Sequence, residues 1–227
     1  MKRSKAYIDS FYHGSAVDGK GLRSVVFFSG CNLRCGFCHN PETLFCKGTE
    51  IDLETMVNRI KRYTAYIRKG GVTLSGGEPF LQAAFCKDLI EELHKLSLNV
   101  CIETNGHLID RELLAMVDSI ILDVKNQDAP VDRVNYDFLK VCEEYHVPVQ
   151  LTNVLVPGCN DDAEHLKMLD DLRKSTNCVT SLKFLPFHKM CVQKYEKLNR
   201  SYPYDQYREA DSDDVARAEK LLAEISE

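Results

Sequence analysis

Short apolar runs bounded by Gly, Asn or Pro alternate along the chain with longer segments in which apolar residues recur every three or four positions. The runs at residues 24–29, 72–75, 99–104, 119–124, 147–156 and 181–187 predict six strands. Helical spacing predicts helices over residues 53–69, 81–96, 110–117, 136–145 and 164–174, with a last one over 212–225. Regular alternation of strand and helix implies parallel strands joined by right-handed crossovers. The expected fold is α/β, a curved or partly closed (β/α)6 barrel. A flat doubly wound sheet shares the same alternation, so the period alone does not choose between them. In both, ligands sit at the carboxyl ends of the strands. The conspicuous polar clusters follow the strand runs: Ser29-Gly30-Cys31, Ser75-Gly76-Gly77-Glu78, Glu103-Thr104-Asn105-Gly106, Asp123-Val124-Lys125 and Pro186-Phe187-His188. They are expected to share one rim.

No linker, low-complexity tract or repeat interrupts this rhythm, and 227 residues suit one core. Residues 1–227 are therefore read as one domain, with a short N-terminal extension and a C-terminal helix. Hydrophobic residues at 44% and charged residues at 28% describe an ordinary globular domain, not a disordered or membrane chain. A net charge of -5 argues against a general nucleic-acid binder, which would carry a basic excess. No apolar run approaches a membrane span, and the basic start lacks the apolar stretch of a signal peptide. A cytoplasmic protein is expected.

Ten cysteines are many for such a chain. Thiols stay reduced in the cytoplasm, so a dense local group points to metal and not to disulfides. Cys31, Cys35 and Cys38 form one such group, spaced by three and then two residues in a loop after a strand. Thiolates ligate iron–sulfur clusters, and a cubane takes four ligands. With three supplied, one iron is left open, and an open position marks a catalytic centre by the logic that leaves catalytic zinc open. A structural zinc loop, closed by a residue such as Cys46, is the other reading of these thiols. The remaining cysteines, Cys46, Cys86, Cys101, Cys142, Cys159, Cys178 and Cys191, are scattered singly, and most of them are expected to be small apolar core residues.

Three further groups carry candidate chemistry. Gly76-Gly77-Glu78-Pro79 follows a strand and opens a helix; it is either a plain strand-to-helix turn or a place where backbone and carboxylate meet a ligand ammonium. Asp123 and Lys125 alternate at the end of an apolar strand, so they face one side, as a mutual ion pair or as ligand contacts. His188 ends the sixth strand run, where a lone imidazole is usually structural.

The loop Cys31-Asn32-Leu33-Arg34-Cys35-Gly36-Phe37-Cys38, with an aromatic before its last cysteine, resembles that of the radical S-adenosylmethionine superfamily. Further motifs extend the resemblance from about residue 10 to residue 200: VDGxGxR at 17–23, CxxxCxxCHN at 31–40, SGGEP at 75–79, ETNG at 103–106, LDVK at 122–125, VPG at 156–158 and LPFH at 185–188. In this order they are similar to those of the activating enzymes of glycyl radical enzymes. The resemblance implies a radical S-adenosylmethionine type partial barrel, with a 4Fe-4S cluster on Cys31, Cys35 and Cys38. It implies S-adenosylmethionine contacts at Phe37, Cys38, His39, Asn40, Gly76, Gly77, Glu78, Asp123, Val124, Lys125 and His188. A monovalent cation would lie on Glu103, Thr104 and Asp123, and the substrate peptide near Asp18 and Asn40.

The implied reaction takes a hydrogen atom from a glycine of a partner enzyme, so no side chain is expected to act as a general acid or base. The 37 residues between Cys38 and Gly76 contain one cysteine and no inserted cluster segment, which favours a partner of the pyruvate formate-lyase type over other glycyl radical enzymes. Flavodoxin or ferredoxin is the expected electron donor, docking on Lys183, Lys189, Lys194, Lys197 and Arg200. A plain solvated face is the other reading of these charges. A monomer is expected. Two positions depart from the family pattern: Glu103 replaces an Asp, and Thr152 replaces a frequent Arg.

Overall fold

The computed structural model describes residues 4–45, 47–125 and 133–226. Cys46, the alternative fourth ligand, lies outside them. The chain divides into two compact units.

The first unit comprises Met1–Arg34, Glu42–Thr104 and Leu108–Ile121. Its elements are β1 (Lys5–Ser15), β2 (Arg23–Phe28), α1 (Pro41–Phe45), β3 (Thr49–Asp52), α2 (Leu53–Lys61), α3 (Thr64–Ile67), β4 (Gly71–Gly76), a 3-10 turn (Pro79–Gln82), α4 (Ala83–Lys95), β5 (Val100–Thr104), α5 (Arg111–Leu114) and the start of β6 (Ser119–Asp123). The strand order here is β3-β1-β2-β4-β5, with β6 following. β2, β4 and β5 are parallel. Their near-continuous apolar character fits strands covered on both faces.

β1 pairs antiparallel with both β2 and β3, so two strands add to the six predicted ones. Both escape a periodicity search for a local reason. Ala6 and Ile8 of β1 point to the core, but register shifts after Ile8 and His13 break the alternation. β3 has four residues and only Ile51 buried. α2 buries Leu53, Met56, Val57 and Ile60, the spacing of one helical face, and each such side chain contributes roughly 1.5–3 kcal/mol. Asp52 caps it by accepting from Thr55 N at 2.8 Å. The predicted helix 53–69 is broken at Tyr63, whose ring stacks on His13 with centroids 4.2 Å apart.

One charged side chain ties the strand starts together. Arg23 is 1% exposed and donates to Thr73 Oγ1 at 2.7 Å, Gly70 O at 2.6 Å, Val72 O at 2.7 Å and Asn99 Oδ1 at 3.0 Å. A buried guanidinium is tolerable only when its donors are satisfied in this way.

The second unit comprises Cys35–Pro41, Asn105–His107 and Leu122–Glu227. It holds the end of β6, then α6 (Arg133–Glu144), β7 (Val149–Leu155), α7 (Ala163–Lys174), β8 (Val179–Pro186), α8 (Val192–Lys197) and α9 (Ser212–Ser226). β7 and β8 are parallel, from Val149 opposite Val179 to Leu155 opposite Pro186. α9 is fixed at its first turn by Asp214, buried, which accepts from Arg208 Nη1 and Nη2 at 2.6 Å each and also from Arg217. These donors hold the Asp214 carboxyl well below the usual carboxylate range. All six predicted strands are present, as is the expected α/β class. Among the described residues no helix is long and apolar enough to cross a membrane.

Candidate functional site

In the first unit, β2 runs into Gly30, whose N–H donates to Thr43 O at 2.7 Å and whose carbonyl accepts from Glu78 N at 2.8 Å. The turn after β4 is thereby laid on the start of the cysteine loop. A Cβ on Gly77 would fall 1.9 Å from Gly30 O, so this glycine is required by the protein's own backbone. Gly76, at φ +109°, is equally confined against Phe28. Cys31 is half-buried and in no disulfide. Its Sγ accepts from Leu33 N at 3.5 Å, while Arg34 Nη1 donates to its carbonyl at 2.7 Å.

Glu78 is fully buried, and its Oε1 accepts from Phe80 N at 3.1 Å and from Thr104 Oγ1 at 2.9 Å. The same carboxylate caps the 3-10 turn and receives the hydroxyl of a residue expected at a cation site. Glu103 Oε2 accepts from Ser75 Oγ at 2.5 Å. The structure therefore brings Ser75, Glu78, Glu103 and Thr104 together in two hydrogen-bonded pairs. Asp18 belongs to other contacts: its carboxylate accepts from Ser15 Oγ, and its carbonyl accepts from Thr73 Oγ1 at 2.5 Å.

In the second unit, Cys35 and Cys38 are half-buried and in no disulfide, with Cys38 N donating to Cys35 O at 3.2 Å. Phe37 is buried edge-on to Tyr204, ring centroids 5.7 Å apart. Lys125 Nζ lies 5.1 Å from the Phe37 ring centroid and pairs with Asp123. The His39 ring stacks on His188 at 4.0 Å, and its Nε2 donates to His188 O at 2.9 Å. Burial, and then the neighbouring His188, push the His39 pKa down to about 4. It is neutral at pH 7 and carries its proton on Nε2. Asn40 Oδ1 accepts from Lys194 Nζ at 2.9 Å.

Val124 is buried between two backbone anchors. Its N–H donates to Thr152 O at 2.8 Å, and its carbonyl accepts from Asn153 Nδ2 at 2.9 Å. Asn153 Oδ1 in turn accepts from Asn160 Nδ2 at 3.2 Å, and Asn160 Oδ1 accepts from Val156 N at 2.8 Å. Neither asparagine was expected at the site. The available signal was an Asn in the middle of an apolar strand run, since a buried amide demands partners.

Three buried atoms of this unit, Asp123 Oδ1, Thr152 Oγ1 and His188 Nδ1, have no hydrogen-bond partner among the described residues. A buried polar atom left unpaired costs about 1–3 kcal/mol, so three on the neighbouring strands β6 and β7 and just after β8 fit contacts to a polar ligand. The cysteines also divide by environment. Burial pushes the thiols of Cys86, Cys101 and Cys142 up, which makes them inert core residues. Cys31, Cys35 and Cys38 sit half-buried in loop backbone, as thiolate ligands require. Among the described residues no three His, Cys, Asp or Glu side chains gather as round one metal ion. A cubane is held differently, by one cysteine on each of several irons.

The family described as a 4Fe-4S single cluster domain matches residues 17–177. The fold resembles that of a radical S-adenosylmethionine methyltransferase from Sphaerobacter thermophilus, with a TM-score of 0.61 at 16% identity, over 89% of this chain and 64% of that one. It also resembles Streptococcus suis SuiB bound to S-adenosylmethionine, with a TM-score of 0.63 at 17% identity over 88% of this chain. This chain spans 48% of SuiB. These define an iron–sulfur domain with the radical S-adenosylmethionine fold. The pyruvate formate-lyase-activating enzyme of Clostridium pasteurianum is 35% identical over 224 residues, 93% of this chain and 94% of the relative. That of Staphylococcus epidermidis is 34% identical over 96% of this chain and 95% of the relative. The chain therefore belongs to the pyruvate formate-lyase-activating enzyme family.

Proposed function

We propose that the chain, acting through residues 1–227 as one radical S-adenosylmethionine core with a C-terminal helix, activates a glycyl radical enzyme of the pyruvate formate-lyase type. The observation that carries this reading is the set of unpaired buried atoms on Asp123, Thr152 and His188, in the unit that also holds Cys35 and Cys38. When bound, the reduced 4Fe-4S cluster supplies one electron that cleaves S-adenosylmethionine to methionine and a 5′-deoxyadenosyl radical, and that radical takes the glycine α-hydrogen. Cys31, Cys35 and Cys38 hold three irons as thiolates and leave the fourth for the methionine amine and carboxylate. Phe37 offers an apolar ring to the adenine, with His39 beside it as a neutral imidazole. Asp123, Lys125, His188 and the buried main chain at Val124 receive the polar groups of the cofactor. Gly76, Gly77 and Glu78, in a turn fixed by backbone contacts, would receive the methionine end.

Glu103, Thr104 and Asp123 are the proposed cation ligands, with the longer Glu103 drawn toward Ser75. Asp18 and Asn40 are the proposed contacts of the substrate peptide. The electron donor is a small acidic carrier, flavodoxin or ferredoxin, and the reducing cytoplasm is the fitting compartment. Lys194 and Lys189 are held within the fold, the latter by Asp205 O at 2.5 Å, so docking falls to the exposed Lys183, Lys197 and Arg200.

The test is anaerobic reconstitution followed by iron and sulfide analysis, then incubation with a strong reductant and S-adenosylmethionine. Formation of 5′-deoxyadenosine, abolished by Cys35→Ala, supports the reading, and a glycyl doublet in the electron paramagnetic resonance spectrum of added pyruvate formate-lyase supports the partner. A doublet only in another glycyl radical enzyme moves the chain to that partner. Zinc without iron makes it a binding module and overturns the enzyme reading.

A further inference from the structure

After β8 the chain makes a closed excursion. Ala210 N donates to Phe187 O at 2.8 Å, so residues 187 and 210 are joined at the base. Within the excursion, Lys189 N donates to Glu209 Oε1 and Lys189 Nζ to Asp205 O, both at 2.5 Å. The lobe so formed carries α8 and the tyrosines Tyr195, Tyr202, Tyr204 and Tyr207. Tyr202 and Tyr204 stack and tilt against Phe187, which roots them in the second unit's core.

This lobe grips the second half of the cysteine loop at five consecutive residues, 36–40. Tyr204 lies on Gly36 so closely that a Cβ there would be 2.5 Å from its ring, and it meets Phe37 edge-on. Tyr195 Oη donates to Cys38 O at 3.1 Å. Lys194 Nζ donates to His39 O at 3.1 Å and to Asn40 Oδ1 at 2.9 Å. Residues 38 and 39 lie in neither helix nor strand, so their carbonyls depend on side chains for partners. α8 supplies a donor to each of them in succession.

We propose that this lobe is a clamp for the cluster loop, with Tyr195 and Lys194 as positioning residues that hold the Cys38 backbone where its thiolate must meet iron. The inference rests on the reading that Cys35 and Cys38 are cluster ligands, and goes beyond it by assigning α8 a task. Neither side chain touches the reacting atoms; each acts through the main chain of a ligand or its neighbour. A thiolate whose backbone is held in place loses little freedom on binding iron, so loosening it speeds iron release.

The test uses the full chain with Tyr195→Phe, which keeps the buried ring, and Lys194→Met, which keeps the stem. The exposed Gln193→Met serves as the control on the same helix. Two readouts are taken: amide hydrogen exchange of residues 35–40 in the metal-free protein, and the rate of iron loss to a chelator from the reconstituted protein. Thermal unfolding is followed throughout. Each variant is expected to exchange faster at residues 35–40 and to lose iron about fivefold faster, the factor that one ordinary hydrogen bond supplies, with the unfolding midpoint nearly unchanged. Gln193→Met is expected to match the wild type. Unchanged iron loss in both variants, or an equal effect from Gln193→Met, overturns the clamp. A wild-type protein that takes up no iron instead overturns the proposed function, which separates the two failures.

Discussion

The candidate residues of the two units differ in how their polar atoms are satisfied. In the first unit, Glu78, Thr104, Glu103 and Ser75 are paired with one another. In the second, Asp123 Oδ1, Thr152 Oγ1 and His188 Nδ1 are buried without a partner among the described residues. Paired groups in a low-dielectric interior stiffen the frame that carries them. Unpaired ones store a cost that a ligand removes on binding. The comparison makes Ser75, Glu78, Glu103 and Thr104 a braced frame and leaves Asp123, Thr152 and His188 with bonding capacity to spare, although both groups present the same kinds of side chain.

Substitutions should separate the two groups. Glu78→Ala is expected to have the largest effect, a stability loss of about 3 kcal/mol, because it removes a buried acceptor of the Thr104 hydroxyl and the Phe80 N–H and opens a cavity. Urea unfolding of the metal-free protein measures it; a loss below about 1 kcal/mol would break the comparison on the side of the braced frame. Asp123→Asn should weaken S-adenosylmethionine binding about tenfold, equivalent to ~1.4 kcal/mol, as read by titration of the reconstituted enzyme. Unaltered affinity would remove Asp123 from the second group.

Asp214 provides a paired carboxylate far from the motifs. Its folded pKa lies below the ordinary value near 3.8, so its stabilising contribution is complete above that value and is lost as the pH falls below it. Asp214→Asn should cost ~2 kcal/mol at pH 7 and flatten the acid limb of a stability–pH curve; an unaltered limb would show that other carboxylates set it. Thr152→Val carries the smallest expected change. Removing an unpartnered hydroxyl should raise the stability of the metal-free protein by roughly 0.5 kcal/mol while lowering cofactor affinity a few-fold. A loss of stability would mean that the hydroxyl is already satisfied.

The parallel strands were legible because buried strands are continuous apolar runs, as at Val72 and Leu74 or Ile120 to Leu122. β1 and β3 were hidden by bulges and brevity, and the break at Tyr63 by an aromatic contact fifty residues away on His13. At the site, the spacing of Cys31, Cys35 and Cys38 is a local signal and reads directly. Tyr195 leaves none, since it addresses a backbone carbonyl 157 residues earlier, and every residue has a carbonyl. Lys194 misleads for the same reason: as a letter it is a surface charge, while in the fold it is spent on His39 and Asn40.

The bond from Ala210 to Phe187 has an evolutionary consequence. Because the chain leaves and re-enters at one point, residues between these positions can be lengthened, shortened or exchanged with little strain on β8 or α9, as loop-closure entropy grows slowly with length. A lineage needing a different partner has a ready place to rebuild, so long as the few side chains facing Cys38 and His39 are kept.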